Sequence, residues 1–131
     1  MRIYLAGPWV RRPEVREVAK RLEAAGHILT SRWLYEHEGN PNDASGLTSP
    51  EAYIRLQAEE DVNDVLDADV FIVLNLEKSE GKAFEMGIAY MTGRPIISVG
   101  KRFNIFCSLG TQVDTVDEAI AHLASFTKQP A

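Results

Sequence analysis

Cysteine is almost missing from this 131-residue chain. Cys107 stands alone, so neither an internal disulfide nor a cysteine-based zinc site can form within it. The three histidines, His27, His37 and His122, show no metal-ligand spacing, and nothing in the sequence asks for a metal or a cofactor. No apolar stretch approaches the ~20 residues that cross a bilayer. The opening MRIYLAGPWV is too short for the apolar region of a signal peptide and runs into Arg11-Arg12. A cytoplasmic protein without a membrane partner is the expectation. Positive charge is also short, with 14 Lys and Arg against 19 Asp and Glu, for a net charge of −5. That excludes the basic face of a non-specific nucleic-acid binder, so no nucleic-acid polymer is expected as a partner. A small anion stays admissible, because a local arginine or a helix N-terminus can receive it.

What is present is an ordinary globular composition, 45% apolar and 25% charged, over a length that suits one domain across residues 1–131. Strand and helix patterns alternate. Residues 2–6 read as a buried strand closed by Gly7-Pro8, and Pro13 opens a helix with Val15, Val18, Ala19, Leu22 and Ala25 inward and Gly26 as its stop. Residues 27–33 read as a second strand. Residues 35–49, rich in Gly, Asn, Pro and Asp, form the one long loop. Ser49-Pro50 starts a helix whose inward stripe is Ile54, Ala58, Val62 and Val65, with Asp64 and Asp67 solvated. The β-branched run 70–74 is a strand buried on both faces, followed by a helix with Phe84, Gly87, Ile88 and Met91 on one stripe. Residues 95–99 and 112–114 complete the strands. Thr115 to Glu118 is a capping box for a last helix lined by Val116, Ile120, Leu123 and Ala124, and residues 127–131 fray.

This alternation predicts an α/β three-layer sandwich with a five-stranded parallel sheet in the flavodoxin-like order 2-1-3-4-5. The switch point then lies between strands one and three, and brings the Gly7-Pro8-Trp9 turn beside residues 79–85.

Two carboxylates carry the chemistry. Glu85 falls in the first turns of a helix beyond the carboxyl end of a strand, where the helix dipole favours its charged form. Asp61 projects from nearly the same angle as Ile54, and a carboxylate facing the core is expensive unless paired or used. Carboxyls in divergent environments divide nucleophile and acid roles. Simpler readings stand beside these: Glu85 as a helix-stabilising acid, and Asp61 pairing with backbone near Gly7. Ser79, Glu80 and Gly81 precede the same helix and can present N–H groups to an anion, or Ser79 can simply cap it. Tyr4, inside an aliphatic strand, needs a partner for its hydroxyl unless it is only core. Trp9 is placed for stacking at the pocket mouth, and Arg32, Trp33 and His37 for its far wall.

These residues carry a resemblance. Residues 3–9 (IYLAGPW), Asp61 ahead of Ala68-Asp69-Val70, residues 79–87 (SEGKAFEMG) and Gly93-Arg94-Pro95 resemble the nucleoside 2-deoxyribosyltransferase family, over residues 2–109. That family includes small 2′-deoxynucleoside 5′-monophosphate N-glycosidases. The resemblance implies that Glu85 attacks the anomeric carbon, that Tyr4 positions it, and that Asp61 handles the proton on the departing base. Trp9 matches a base-contacting position. Ser79 matches the place where transferases carry an Asp for the sugar hydroxyl and monophosphate hydrolases a Ser that leaves room for phosphate. Asn104 matches a residue donated across a dimer interface to the 5′ end of the sugar. Pro8 stands where the hydrolases have Ser, so Arg11 or Arg12, with Lys82, would supply the charge.

The expected function is cleavage of the N-glycosidic bond of a nucleoside or its 5′-monophosphate by a homodimer or higher oligomer with shared sites. A retaining pair of carboxyls lies ~5–5.5 Å apart. Catalysis would rest on Glu85, Asp61 and Tyr4, and substrate binding on Gly7, Trp9, Ser79, Gly81 and Asn104. The rivals are transfer of deoxyribose between bases, a non-catalytic nucleotide-binding module, and an enzyme acting on NAD or a cytokinin-like nucleotide. Ser79 favours the monophosphate hydrolase.

Overall fold

In the computed structural model, residues 1–35 and 51–127 are described. They form strands β1 (Arg2–Ala6), β2 (Ile28–Leu29), β3 (Val70–Leu74), β4 (Ile96–Val99) and β5 (Thr111–Val113). The helices are α1 (Arg12–Ala24), α2 (Glu51–Leu66), α3 (Glu80–Met91) and α4 (Val116–Thr127). All strand pairs are parallel, in the order β2-β1-β3-β4-β5. This is the expected flavodoxin-like sheet. α1 and α4 share one face, joined by an ion pair between Arg21 and Asp117, while α2 and α3 pack together on the other. β1 and β3 are therefore covered on both faces, which their unbroken apolar runs require. No helix among the described residues is long and apolar enough to cross a membrane.

Several local expectations hold. Pro13 lies in the first turn of α1, whose buried stripe is Val15, Ala19 and Leu22, and Gly26 (φ +95°) follows as its left-handed stop. The capping box before α4 is made reciprocally: Glu118 N–H donates to Thr115 Oγ1 (3.1 Å) and Asp114 N–H to Glu118 Oε2 (3.4 Å). Two residues expected inward, Ala25 after α1 and Ala124 on α4, are instead exposed, while Ala119 and Leu123 are buried on α4. His37, most of the 35–49 loop, the Ser49-Pro50 helix start and residues 128–131 of the tail lie outside the described residues.

Three readings need correction. The second strand covers only Ile28–Leu29, because side chains take over its bonding. Thr30 Oγ1 donates to Asp64 O (2.8 Å), Ser31 Oγ accepts from Leu5 N–H (2.6 Å), and the chain then turns as a 3-10 segment, Arg32–Leu34. On α2, Gln57, Asp64 and Val65 are buried, Ile54 and Val62 only half so, and Ala58 is exposed. Asp64 is not solvated: it is 5% exposed, bonded to Arg32 Nε (2.9 Å) and Arg32 N–H (3.1 Å). On α3 the inward residues are Lys82, Met86 and Ala89, whereas Phe84 is 66% and Met91 80% exposed. The inward face carries a lysine because its ammonium bonds carbonyls of the preceding loop, Glu77 O (2.5 Å) and Leu74 O (3.4 Å).

Candidate active site

The carboxyl ends of β1 and β3 open into a cavity of about 620 Å³, at the switch point between them. Gly7, Trp9, Asp61, Ser79, Gly81 and Glu85 all line it, as do Trp33 and Lys82. Gly7 lets β1 turn tightly against α1, since a Cβ there would lie 2.7 Å from Val15 Cγ2. Trp9 follows, 6.3 Å from the ring of Trp33, whose Nε1 donates to Leu5 O (2.9 Å). Two neighbouring indoles thus line the cavity together with the carboxyls on α2 and α3.

Tyr4 does not line the cavity. It is fully buried in β1, stacked on its cross-strand neighbour Phe71 (5.6 Å), and its hydroxyl donates to Glu85 Oε2. Burial, then the nearby Glu85 and Asp61, raises the Tyr4 pKa well above its ordinary value, so the phenol keeps its proton. Glu85 sits on the sixth position of α3, past the reach of the N-terminal dipole, which fades after the first turn. Desolvation dominates there and pushes its pKa up to about 8, against the lowering effect of the Tyr4 hydrogen bond. The expected stabilisation of charged Glu85 by the dipole is therefore overturned. Asp61 behaves as its position on α2 suggests: burial, reinforced by Asp64 and Glu60 and opposed by Arg32, raises it to about 7. Its Oδ1 is buried without a hydrogen-bond partner, so it does not pair with backbone near Gly7. Near neutrality the two carboxyls share protons as a pair. The Tyr4 O–H donates to Glu85 and so favours its charged form, against the larger opposing effect of burial.

Ser79 is the N-cap of α3 and accepts from Lys82 N–H (3.3 Å). Beyond it lies a second cavity of about 240 Å³, and Ser79 and Lys82 line both. Asn104 lines this second cavity and not the first, and it caps the 3-10 segment Ile105–Leu109 by accepting from Phe106 N–H (2.9 Å). The two arginines expected to charge the pocket do not line it. Arg11 bonds Glu14 and reaches Glu77 (3.5 Å), and the Arg12 guanidinium lies 3.9 Å from the Trp9 ring centre. Arg32 is drawn away to Asp64. The buried cation at the cavity is Lys82, whose burial the apolar pattern of α3 hid, and Trp33 lines the cavity but beside Trp9 rather than on a far wall.

Residues 3–124 match the family model described as nucleoside 2-deoxyribosyltransferase. No curated protein sequence matches the chain. Among solved structures, a conserved protein from Enterococcus faecalis V583 is similar (TM-score 0.72, 16% identity, covering 96% of this chain and 98% of that one). A 2-deoxyribosyltransferase from Bacillus psychrosaccharolyticus aligns with TM-score 0.69 and 19% identity over 92% of this chain and 90% of that one. A CMP N-glycosidase from Clostridium botulinum aligns with TM-score 0.56 and 17% identity over 95% and 99%.

Proposed function

Because this chain belongs to the nucleoside 2-deoxyribosyltransferase family, we propose that it cleaves the N-glycosidic bond of a nucleoside 5′-monophosphate through a covalent intermediate on Glu85. The observation that carries this is that Glu85, held by the Tyr4 hydroxyl, and Asp61, one of whose carboxyl oxygens has no hydrogen-bond partner, line one cavity. A carboxylate oxygen of Glu85 bonds to C1′ as the C1′–N bond breaks, and its electron pair leaves with the base. Asp61 supplies the proton that the departing base needs. Water then attacks C1′ as the C1′–O bond to Glu85 breaks, gives a proton to Asp61, and leaves the sugar phosphate free and Glu85 again a carboxylate. Trp9 and Trp33 form the wall on which a planar base stacks. A non-catalytic module has no use for two buried carboxyls brought to one cavity.

The phosphate preference rests on Ser79. It is neutral, caps α3 at its electropositive end, and with Lys82 lines both cavities. An aspartate there would repel a phosphate dianion. In a homodimer with shared sites, Asn104 would act on the 5′ end of a partner's substrate. The test compares one nucleoside with its 5′-monophosphate, in wild type and in Ser79→Asp, by chromatography of free base. Wild type is expected to favour the monophosphate in kcat/KM, and Ser79→Asp to reduce or reverse that. A wild type that prefers the nucleoside and passes its sugar to an added base faster than to water is a transferase.

A further inference from the structure

Among the described residues, three buried side-chain polar atoms lack a hydrogen-bond partner: Gln57 Nε2, Gln57 Oε1 and Asp61 Oδ1. All belong to α2 and lie four residues apart, so they fall on one side of the helix. Gln57 is 2% exposed. Burying an amide with both ends unmade is costly, and a methionine of similar length fills the same space without that cost. The next polar residue along this side, Asp64, is by contrast fully engaged with Arg32. An isolated defect could be local misfit. Two adjacent turns with complementary orphans, a donor and an acceptor one turn apart, form a bond not yet made.

The groups around Asp61 show when that bond is needed. Asp61 faces Glu60 and Asp64 on its own helix, Glu85 on α3, the Tyr4 phenol on β1 and Arg32 beside β2. Arg32, the cation in that set, is bound to Asp64, and the Tyr4 hydroxyl is bound to Glu85. While Asp61 carries its proton, this surrounding is tolerable. Once the proton leaves with the base, a carboxylate stands among other acids and needs a donor.

We propose that Gln57 is a positioning residue for Asp61, its amide N–H swinging onto Asp61 Oδ1 as the carboxyl gives up its proton. This rests on the reading of Asp61 as the proton donor. No proton passes through Gln57: the Asp61 proton goes to the base nitrogen, and the amide contributes one hydrogen bond to the carboxylate left behind. Gln-to-Asp hydrogen bonds at this spacing are a known helix interaction, and the three rotatable bonds of Gln57 give it the reach. A bond to the charged form favours that form, so Gln57 makes Asp61 a stronger acid.

The test is Gln57→Met, which keeps the length and loses both polar ends. Base release from a 5′-monophosphate is measured over a pH series, with Tm, and with the Asp61 carboxyl titrated by carbon-13 NMR. The expected result is a Tm equal to or above wild type and kcat/KM lower by about tenfold, the scale of one charge-assisted hydrogen bond. The alkaline limb and the Asp61 titration should both move upward, by about one pH unit. Wild-type rate and limb in Gln57→Met overturn the proposal, and so does a rate loss that follows a falling Tm with the Asp61 titration unmoved. Should that variant fail to fold, Gln57→Asn, which keeps the amide but shortens its reach, must show the same upward move. A wild type that releases no base overturns the glycosidase reading itself, whereas an active wild type with an unaltered Met variant removes only Gln57.

Discussion

Glu85 and Asp61 are set apart from the other acids by where burial places them. Glu85→Gln keeps the shape and the Tyr4 contact, so base release should vanish while the fold survives. The check is chromatography of free base beside a thermal melt, and a variant at wild-type rate ends the nucleophile assignment. Asp61→Asn should lower the rate strongly, least for bases that leave easily, because only poor leaving groups need the proton. Stability supplies a check independent of turnover. Both carboxyls have folded-state pKa values raised above the ordinary range, to about 7 and about 8. Between the ordinary carboxyl pKa and those values the folded chain holds protons that the unfolded chain has lost. Stability from these groups is therefore present at acid pH and declines as pH rises toward about 8. Tm of Glu85→Gln relative to wild type should grow from pH 5 to pH 8, since the amide has no proton to lose. A Tm difference independent of pH would show that burial does not raise the Glu85 pKa.

At the scale of elements, the join between α2 and the Arg32–Leu34 turn depends chiefly on the pair of Arg32 with Asp64, with Glu60 at 3.9 Å from the same guanidinium. Asp64 is buried and Arg32 half-exposed, with 2.8 Å between Nη2 and Oδ1. Arg32→Met removes the cation and leaves the carboxylate in place. Breaking a fully buried pair costs roughly 3–5 kcal/mol, and the exposure of Arg32 brings the expected loss down to about 2 kcal/mol. Urea denaturation reads it, and an unchanged midpoint contradicts it. Asp64→Asn with Arg32→Met should recover part of the loss. At the other side of the sheet, Gly110 is held by close approach, as a Cβ would lie 2.4 Å from Ile96 O. Gly110→Ala must push β5 from β4, and its melt should fall by several degrees, as for about 1–2 kcal/mol in a domain of this size.

On the molecule as a whole, large apolar side chains are exposed at two places. Met91 and Phe84, the latter also lining the cavity, are exposed on α3, and Ile105 and Phe106 on the turn that Asn104 caps. Exposed apolar groups in such number mark contact surfaces. Light scattering should give a dimer or larger assembly, and Phe106→Asp should shift it toward monomer and lose activity with it. Mixing Glu85→Gln with Asn104→Ala chains should restore some base release if sites are shared. A strictly monomeric, active wild type removes the shared site.

The period of the sequence determined the architecture. Two-faced apolar runs at 3–6 and 70–74 admit only central parallel strands, and the order β2-β1-β3 then brings Gly7, Trp9 and the Ser79–Glu85 segment together. Asp61 was legible because a carboxylate on the inner side of a helix is anomalous wherever the helix packs. Rotation of α3 was not legible. Its apolar residues surround most of the helix, and which side faced inward depended on two carbonyls, at Leu74 and Glu77, that could hold the Lys82 ammonium. Arg32, Asp64 and Gln57 share that logic. A polar side chain is buried or solvated according to what another element offers it, and local sequence does not contain that element. The same holds for the sign at Glu85: the helix start promised a stabilised charge, and only packing against Tyr4 and the sheet made desolvation the larger effect.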